Sequence, residues 1–135
     1  MDIAQAMKIS AAGMAAQTTR LRVIAENLAN QDSTGSTPGA EPYRRKTITF
    51  ENRLDRALGA STVRVRRIGT DMSEAPLRYD PSHPAANAAG YVKTPNVNSF
   101  TEVLDMREAQ RGYNANIAVL EVTRGMLTRA IEMLK

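Results

Sequence analysis

The sequence predicts a mainly α fold: two long terminal helices paired as an antiparallel-type coiled coil, with a small β-rich or loop insert between them. Three observations predict it. All six prolines fall between Pro38 and Pro95, which leaves both ends free of helix breakers. Both ends carry apolar rows that recur every seven residues. Two stretches of the middle instead alternate apolar and polar residues, as half-exposed strands do. The expected parts are an N-terminal coiled-coil helix over 1–30, an insert over 31–98 and a C-terminal coiled-coil helix over 99–135.

In the first flank, Ala4, Ala11, Thr18 and Ala25 form one row and Met7, Met14, Leu21 and Leu28 the other. These are the a and d positions of a heptad seam. A helix over 3–29 would be about 40 Å long. Asn30, Asp32, Ser33 and Gly35 then supply stop and turn chemistry. In the insert, Thr47–Phe50 and Ser61–Arg66 read as strands, and Asp80-Pro81-Ser82-His83-Pro84 reads as a turn. In the last flank, Met106, Tyr113, Leu120, Leu127 and Leu134 form a row beside Val103, Gln110, Ile117, Arg124 and Ile131. Gln110 and Arg124 are seam residues that weaken the pairing and fix its register.

Both helices also carry apolar residues away from this seam. Ile9, Ala16 and Val23 recur on the first, and Val119, Val122, Met126 and Met133 on the last. A helix that is apolar on two sides is normally buried on two sides. The polar, proline-broken insert is too thin to cover both, so other subunits are the expected cover. The expected intramolecular seam is thus Met7, Met14, Leu21, Leu28, Met106, Tyr113, Leu120, Leu127 and Leu134. The expected subunit interface is Ile9, Val23, Val119, Val122, Met126 and Met133, with Asn27 and Asn30 at the end of the first helix.

Composition narrows the function. Of the 42% apolar residues many are alanine, and Leu, Ile, Val and Phe together number only 26 of 135. That is too little bulk for a large self-contained core or a deep enzyme pocket. With no cysteine, disulfide scaffolds, thiolate metal sites and cysteine nucleophiles are excluded. No apolar run reaches the roughly 18 residues of a membrane span. The first residues lack a basic leader followed by an unbroken apolar core, so no cleaved signal peptide is expected.

The single histidine, His83, sits between Pro81 and Pro84 without a partner at metal spacing and reads as a loop residue. Glu102, Asp105 and Glu108 lie near Arg107 and Arg111 and read as solvated ion pairs rather than catalytic carboxylates. Neither catalytic, cofactor-binding nor metal residues are expected. Arg44, Arg45, Lys46, Arg64, Arg66 and Arg67 could form a phosphate-binding track. Acids are interspersed, however, and residues 31–99 net only +3. A nucleic-acid module is therefore a weaker reading than a soluble homo-oligomeric coiled-coil adaptor, and both are weaker than the one that follows.

Ala25-Glu26-Asn27-Leu28-Ala29-Asn30, closing the first helix, resembles the N-terminal signature of bacterial flagellar rod and hook axial proteins. Tyr43-Arg44-Arg45-Lys46, Asp80–Asn87, Gly90-Tyr91-Val92-Lys93-Thr94-Pro95-Asn96-Val97 and Arg111–Asn116 are similar to the short proximal-rod members of that family. The resemblance implies a structural subunit of the flagellar basal body, polymerising through its terminal helices into the torque-transmitting shaft of the proximal rod. It further implies export through the flagellar type III apparatus without a cleaved signal, and residence in the periplasmic rod. Its partners would be copies of itself and other proximal and distal rod proteins, with no nucleic acid and no cofactor. Arg44, Arg45, Lys46, Gly90, Tyr91, Pro95 and Asn96 are the expected contacts of the insert with such partners.

Overall fold

The computed structural model describes residues 2–135. Its elements run α1 (Ile3–Ala29), β1 (Lys46–Asp55), β2 (Ala60–Thr70), β3 (Leu77–Tyr79), β4 (Tyr91–Lys93) and α2 (Ser99–Met133). The fold is mainly α with a β-containing insert, and both helices end within a residue or two of the expected limits.

Local chemistry sets those limits. Asn30 ends α1: its Nδ2 donates to the Glu26 carbonyl at 2.9 Å and its Oδ1 accepts from Ser33 Oγ at 3.0 Å. Among the described residues no non-glycine has a positive φ, so Asn30 caps through its side chain and not through a left-handed backbone. At the other helix, Asn98 Oδ1 accepts from the backbone N–H groups of Phe100 at 3.0 Å and Thr101 at 3.2 Å. It is a standard N-cap.

The insert holds two separate two-stranded ribbons. The strands β1 and β2 extend well beyond the two expected stretches and are joined by a tight turn at 56–59. There Asp55 Oδ1 accepts from Ala57 N at 3.0 Å and Leu58 N at 3.1 Å, and Gly59 takes φ +67°. The second ribbon lies outside the two stretches read as strands from the sequence. It pairs Leu77 with Lys93, Arg78 with Val92 and Tyr79 with Tyr91, antiparallel. Val92 is fully buried, while the Tyr79 and Tyr91 rings meet edge to face at 5.3 Å on the exposed side. Gly90 carries φ +86°, and a Cβ there would stand 2.9 Å from the Tyr79 ring. Only glycine fits both conditions.

The chain divides into two compact units. One comprises the chain up to Leu21, Thr49–Arg67 and Met106–Lys135; the other comprises Arg22–Ile48 and Ile68–Asp105. In the first unit the helices run antiparallel, with Gly13 facing Asn116, Gln17 facing Gly112 and Arg20 pairing with Glu108 at 3.4 Å. In the second, Asn27 near the end of α1 meets Glu102 near the start of α2 at 3.3 Å.

The most enclosed face of each helix lies about one residue round from the expected seam. On α1 it comprises Ser10, Gly13, Ala16, Val23, Ile24 and Asn27; on α2 it comprises Glu102, Ala109 and Thr123. Met7, Met14, Leu21, Leu28, Met106, Tyr113 and Leu120 are only half-buried. Small side chains explain the rotation, because they let two helix backbones approach where Met and Leu would hold them apart.

Candidate functional site

In the unit built from 22–48 and 68–105, a polar knot holds α1, the start of β1 and α2 together. Asn27 is 1% exposed and uses its whole amide. Its Nδ2 donates to the Lys46 carbonyl at 2.9 Å and to Glu102 Oε2 at 3.3 Å. Its Oδ1 accepts from Tyr43 Oη at 2.8 Å and Lys46 N at 2.8 Å. An amide has two donors and two principal acceptor sites, so none is left over.

Glu102 is 0% exposed. Its Oε1 accepts from Arg45 Nε, and Arg45 Nη2 also lies 3.5 Å from Asp105. The Arg45 backbone N–H donates to Asn96 Oδ1 at 2.8 Å, and Asn96 Nδ2 reaches the Asp71 carbonyl and Ser73 Oγ, both at 3.0 Å. The Arg45 carbonyl in turn accepts from Asp71 N at 2.8 Å. Outside the knot, Lys46 Nζ pairs with Glu26 at 2.7 Å. That bond and the lysine charge hold the Glu26 carboxyl below its ordinary value and the Lys46 ammonium above its own. Burial pushes the Tyr43 phenol up.

Several expectations change here. Asn27 and Val23 are enclosed by their own chain, so neither side chain is left for a neighbour. Asn30 is half-buried and caps its own helix, and Ile9 is half-buried. Glu102 is not a solvated partner of Arg107 or Arg111 but the buried centre of the knot, and Glu108 pairs with Arg20. Of the expected insert contacts, Arg44 bonds the Ser73 carbonyl and Glu41, while Arg45, Lys46 and Asn96 serve the knot. Gly90 and Pro95 are buried; Tyr91 keeps an exposed ring. Nothing in the heptad rows signals Glu102. The usable sign was the parallel row Glu102, Ala109, Asn116, Thr123 and Ala130, small or polar throughout, which suits a close helix contact better than a leucine seam.

His83 is a loop residue as read. Its Nδ1 accepts from Ala85 N at 3.0 Å, which leaves Nε2 to face Thr34 Oγ1 at 3.1 Å. Among the described residues, no helix is long and apolar enough to cross a membrane.

The other unit is finished differently. Toward its C-terminus, α2 exposes Val119, Val122, Met126, Leu127, Ile131 and Met133, with Val122 at 65% and Met133 at 83%. Leu127 and Leu134, expected on the intramolecular seam, are likewise uncovered, Leu134 at 88%. An open groove of about 870 Å³ in the same unit is lined by Ala12, Ala15, Ala16, Leu54 and Val63 together with the charged Arg53, Asp55, Arg56 and Arg64. The unit thus carries both exposed bulky apolar side chains and an open groove.

The sequence as a whole matches flagellar basal-body rod proteins. It is 48% identical to the flagellar basal-body rod protein FlgC of Agrobacterium fabrum over 98% of this chain and 96% of that protein. The chain belongs to the FlgC family of flagellar basal-body rod proteins. Other members include FlgC of Salmonella typhimurium, 38% identical over 98% of both chains, and FlgC of Bacillus subtilis, 35% identical over 98% of this chain and 99% of that one. Residues 88–133 also match the family described as flagellar basal body rod FlgEFG protein C-terminal. In this FlgC-family chain that segment runs from the Tyr79–Tyr91 ribbon through Asn96 and Glu102 to the uncovered end of α2.

Proposed function

We propose that this rod protein builds the proximal part of the flagellar shaft by burying the free apolar face of α2 against neighbouring copies and other rod proteins. The observation that carries it is the stripe Val119, Val122, Met126 and Met133, spaced by three, four and seven residues along one side of a helix and uncovered throughout. Burying one such side chain contributes about 1.5–3 kcal/mol, so a few per contact repeated along an array suffice for a stiff polymer. A contact between two unlike surfaces is heterologous and propagates into a helix, as a tubular shaft requires.

The function is geometric and not chemical. In this reading the paired helices form a coiled coil near the shaft axis and pass torque through close-packed contacts. The same reading includes passage through the type III export apparatus without a cleaved signal and residence in the periplasm.

The test is a double substitution, Val122→Asp with Met126→Asp. Both positions are exposed, so the far-ultraviolet circular dichroism and urea midpoint of the isolated chain should stay unchanged. Rods should be missing from purified basal bodies and cells should not swim. Wild-type swimming by the double variant would overturn the reading.

A further inference from the structure

The net charge of this chain is not spread over it. There are 18 basic and 14 acidic side chains. Between Lys46 and Thr70 lie six of the basic ones and two of the acidic ones, which leaves twelve of each sign elsewhere. The formal +4 of the protein therefore resides on the β1–β2 hairpin, and the remainder is neutral.

Local pairing uses only part of that charge. Glu51 binds Arg64 and stands 3.9 Å from Arg66; Lys46 is engaged by Glu26; Asp55 serves the backbone of the turn. Arg53, Arg56 and Arg67 make no ion pair among the described residues, and all three are exposed. Arg66, Arg67 and Thr49 line a polar recess of about 200 Å³, wide enough to admit a carboxylate side chain.

We propose that this hairpin is a docking surface for an acidic face of a different protein. A second copy fits poorly, because it would offer a neutral remainder and a like-charged hairpin. A phosphate polymer favours an unbroken row of cations, whereas Glu51 and Asp55 interrupt this one. Mixed charge of that kind is matched point by point by a protein surface. All five cations between Thr49 and Arg67 are arginine, whose planar fork pairs with carboxylates bidentately. Each contact at an exposed site is weak. If copies are arrayed in a rod, which rests on the reading above, their hairpins repeat and the weak contacts add by avidity.

The experiment reverses the charge with Arg53→Glu, Arg66→Glu and Arg67→Glu together, beside a second variant carrying Lys at the same three positions. Both chains should match the parent in circular dichroism and urea midpoint, since none of the three guanidiniums holds the fold through an ion pair with a buried group. In cells, the Glu variant should lower swimming by about tenfold or more, and the Lys variant should retain most of it. Selection for restored swimming should return Asp or Glu to Lys or Arg changes in a second protein. Normal swimming by the Glu variant overturns the proposal, as do suppressors confined to this chain. It is also overturned if the parent chain, but not the Glu variant, binds phosphatidylglycerol vesicles or purified peptidoglycan at about 150 mM salt. Failure of the α2 substitutions to block assembly would instead defeat the rod reading and leave the hairpin result standing.

Discussion

The knot around Asn27 and Glu102 and the far end of α2 are finished by opposite means. At the knot, every polar atom of the Asn27 amide has a partner and the Glu102 carboxylate is wholly enclosed. At the end of α2, large apolar side chains are displayed, Val122 at 65% and Met133 at 83% exposure. A buried carboxylate without partners is severely destabilising, so a polar centre has to be completed within the chain that owns it. An exposed valine or methionine is tolerated singly and becomes useful when a neighbour arrives. The difference teaches that this chain completes its polar centre internally while leaving bulky apolar side chains exposed along the far end of α2, the face proposed above for assembly.

The sharpest way to break that contrast is Glu102→Ala. It strips the buried partner from Arg45 and Asn27 together, and a loss of about 3 kcal/mol is expected from equilibrium urea unfolding. A loss below about 1 kcal/mol would mean that the knot is decoration rather than a structural centre. Next is the pair of asparagines that the sequence presents as equivalents. Asn27→Ala orphans Tyr43 Oη and Lys46 N and should lower stability by about 2 kcal/mol. Asn30→Ala removes only a helix-end bond and should lower it by less than about 1 kcal/mol. Equal losses would show that Asn27 is a cap like its neighbour.

The other region is sharpened by Gly125→Ala. A Cβ there meets nothing within 4 Å, so the isolated chain should gain about 0.5–1 kcal/mol from helix propensity. If incorporation into rods falls while the melting temperature rises, a neighbour sits against that turn.

The smallest expected effect concerns pH. Glu26 is held below its ordinary 4.5 and Lys46 above its ordinary 10.5, each chiefly by their mutual hydrogen bond. The stability Glu26 adds is present above 4.5 and lost as pH falls through its lowered folded value. The Lys46 contribution is present below 10.5 and lost as pH rises through its raised one. Both groups are at the surface, so the change is slight. Comparing urea midpoints, the gap between the parent and Glu26→Gln should be widest near neutrality and should close in acid.

The helices were legible because their evidence is local. Proline placement and apolar period mark Ile3–Ala29 and Ser99–Met133 almost to the residue. The first hairpin was half legible: alternation located Thr47–Phe50 and Ser61–Arg66 but could not show how far pairing carries each strand. The ribbon of Leu77–Tyr79 with Tyr91–Lys93 was not legible, because three residues are too few for alternation to register. Of the site, the uncovered face of α2 could be read from the second apolar stripe, whereas Glu102 could not. A glutamate among arginines on a long helix has the ordinary appearance of a solvated charge, and only Arg45, arriving from the residue before β1, reverses that meaning.

By itself the sequence determined that this protein is two long helices around a thin insert, without the bulk for a complete core, and that it belongs with the rod proteins. The helices and the thin core follow from short-range rules: where a helix can start, continue and stop, and how much apolar area the chain possesses; the family follows from shared motifs and from 48% identity to a member. Only the tertiary structure decided which side of each helix faces the other. Heptad rows rank sides by hydrophobicity, but contact between helices is set by how closely backbones approach. Gly13, Ala16, Ala109 and Gly112 permit that approach, so bulky side chains of α2 such as Val122, Met126 and Met133 remain exposed.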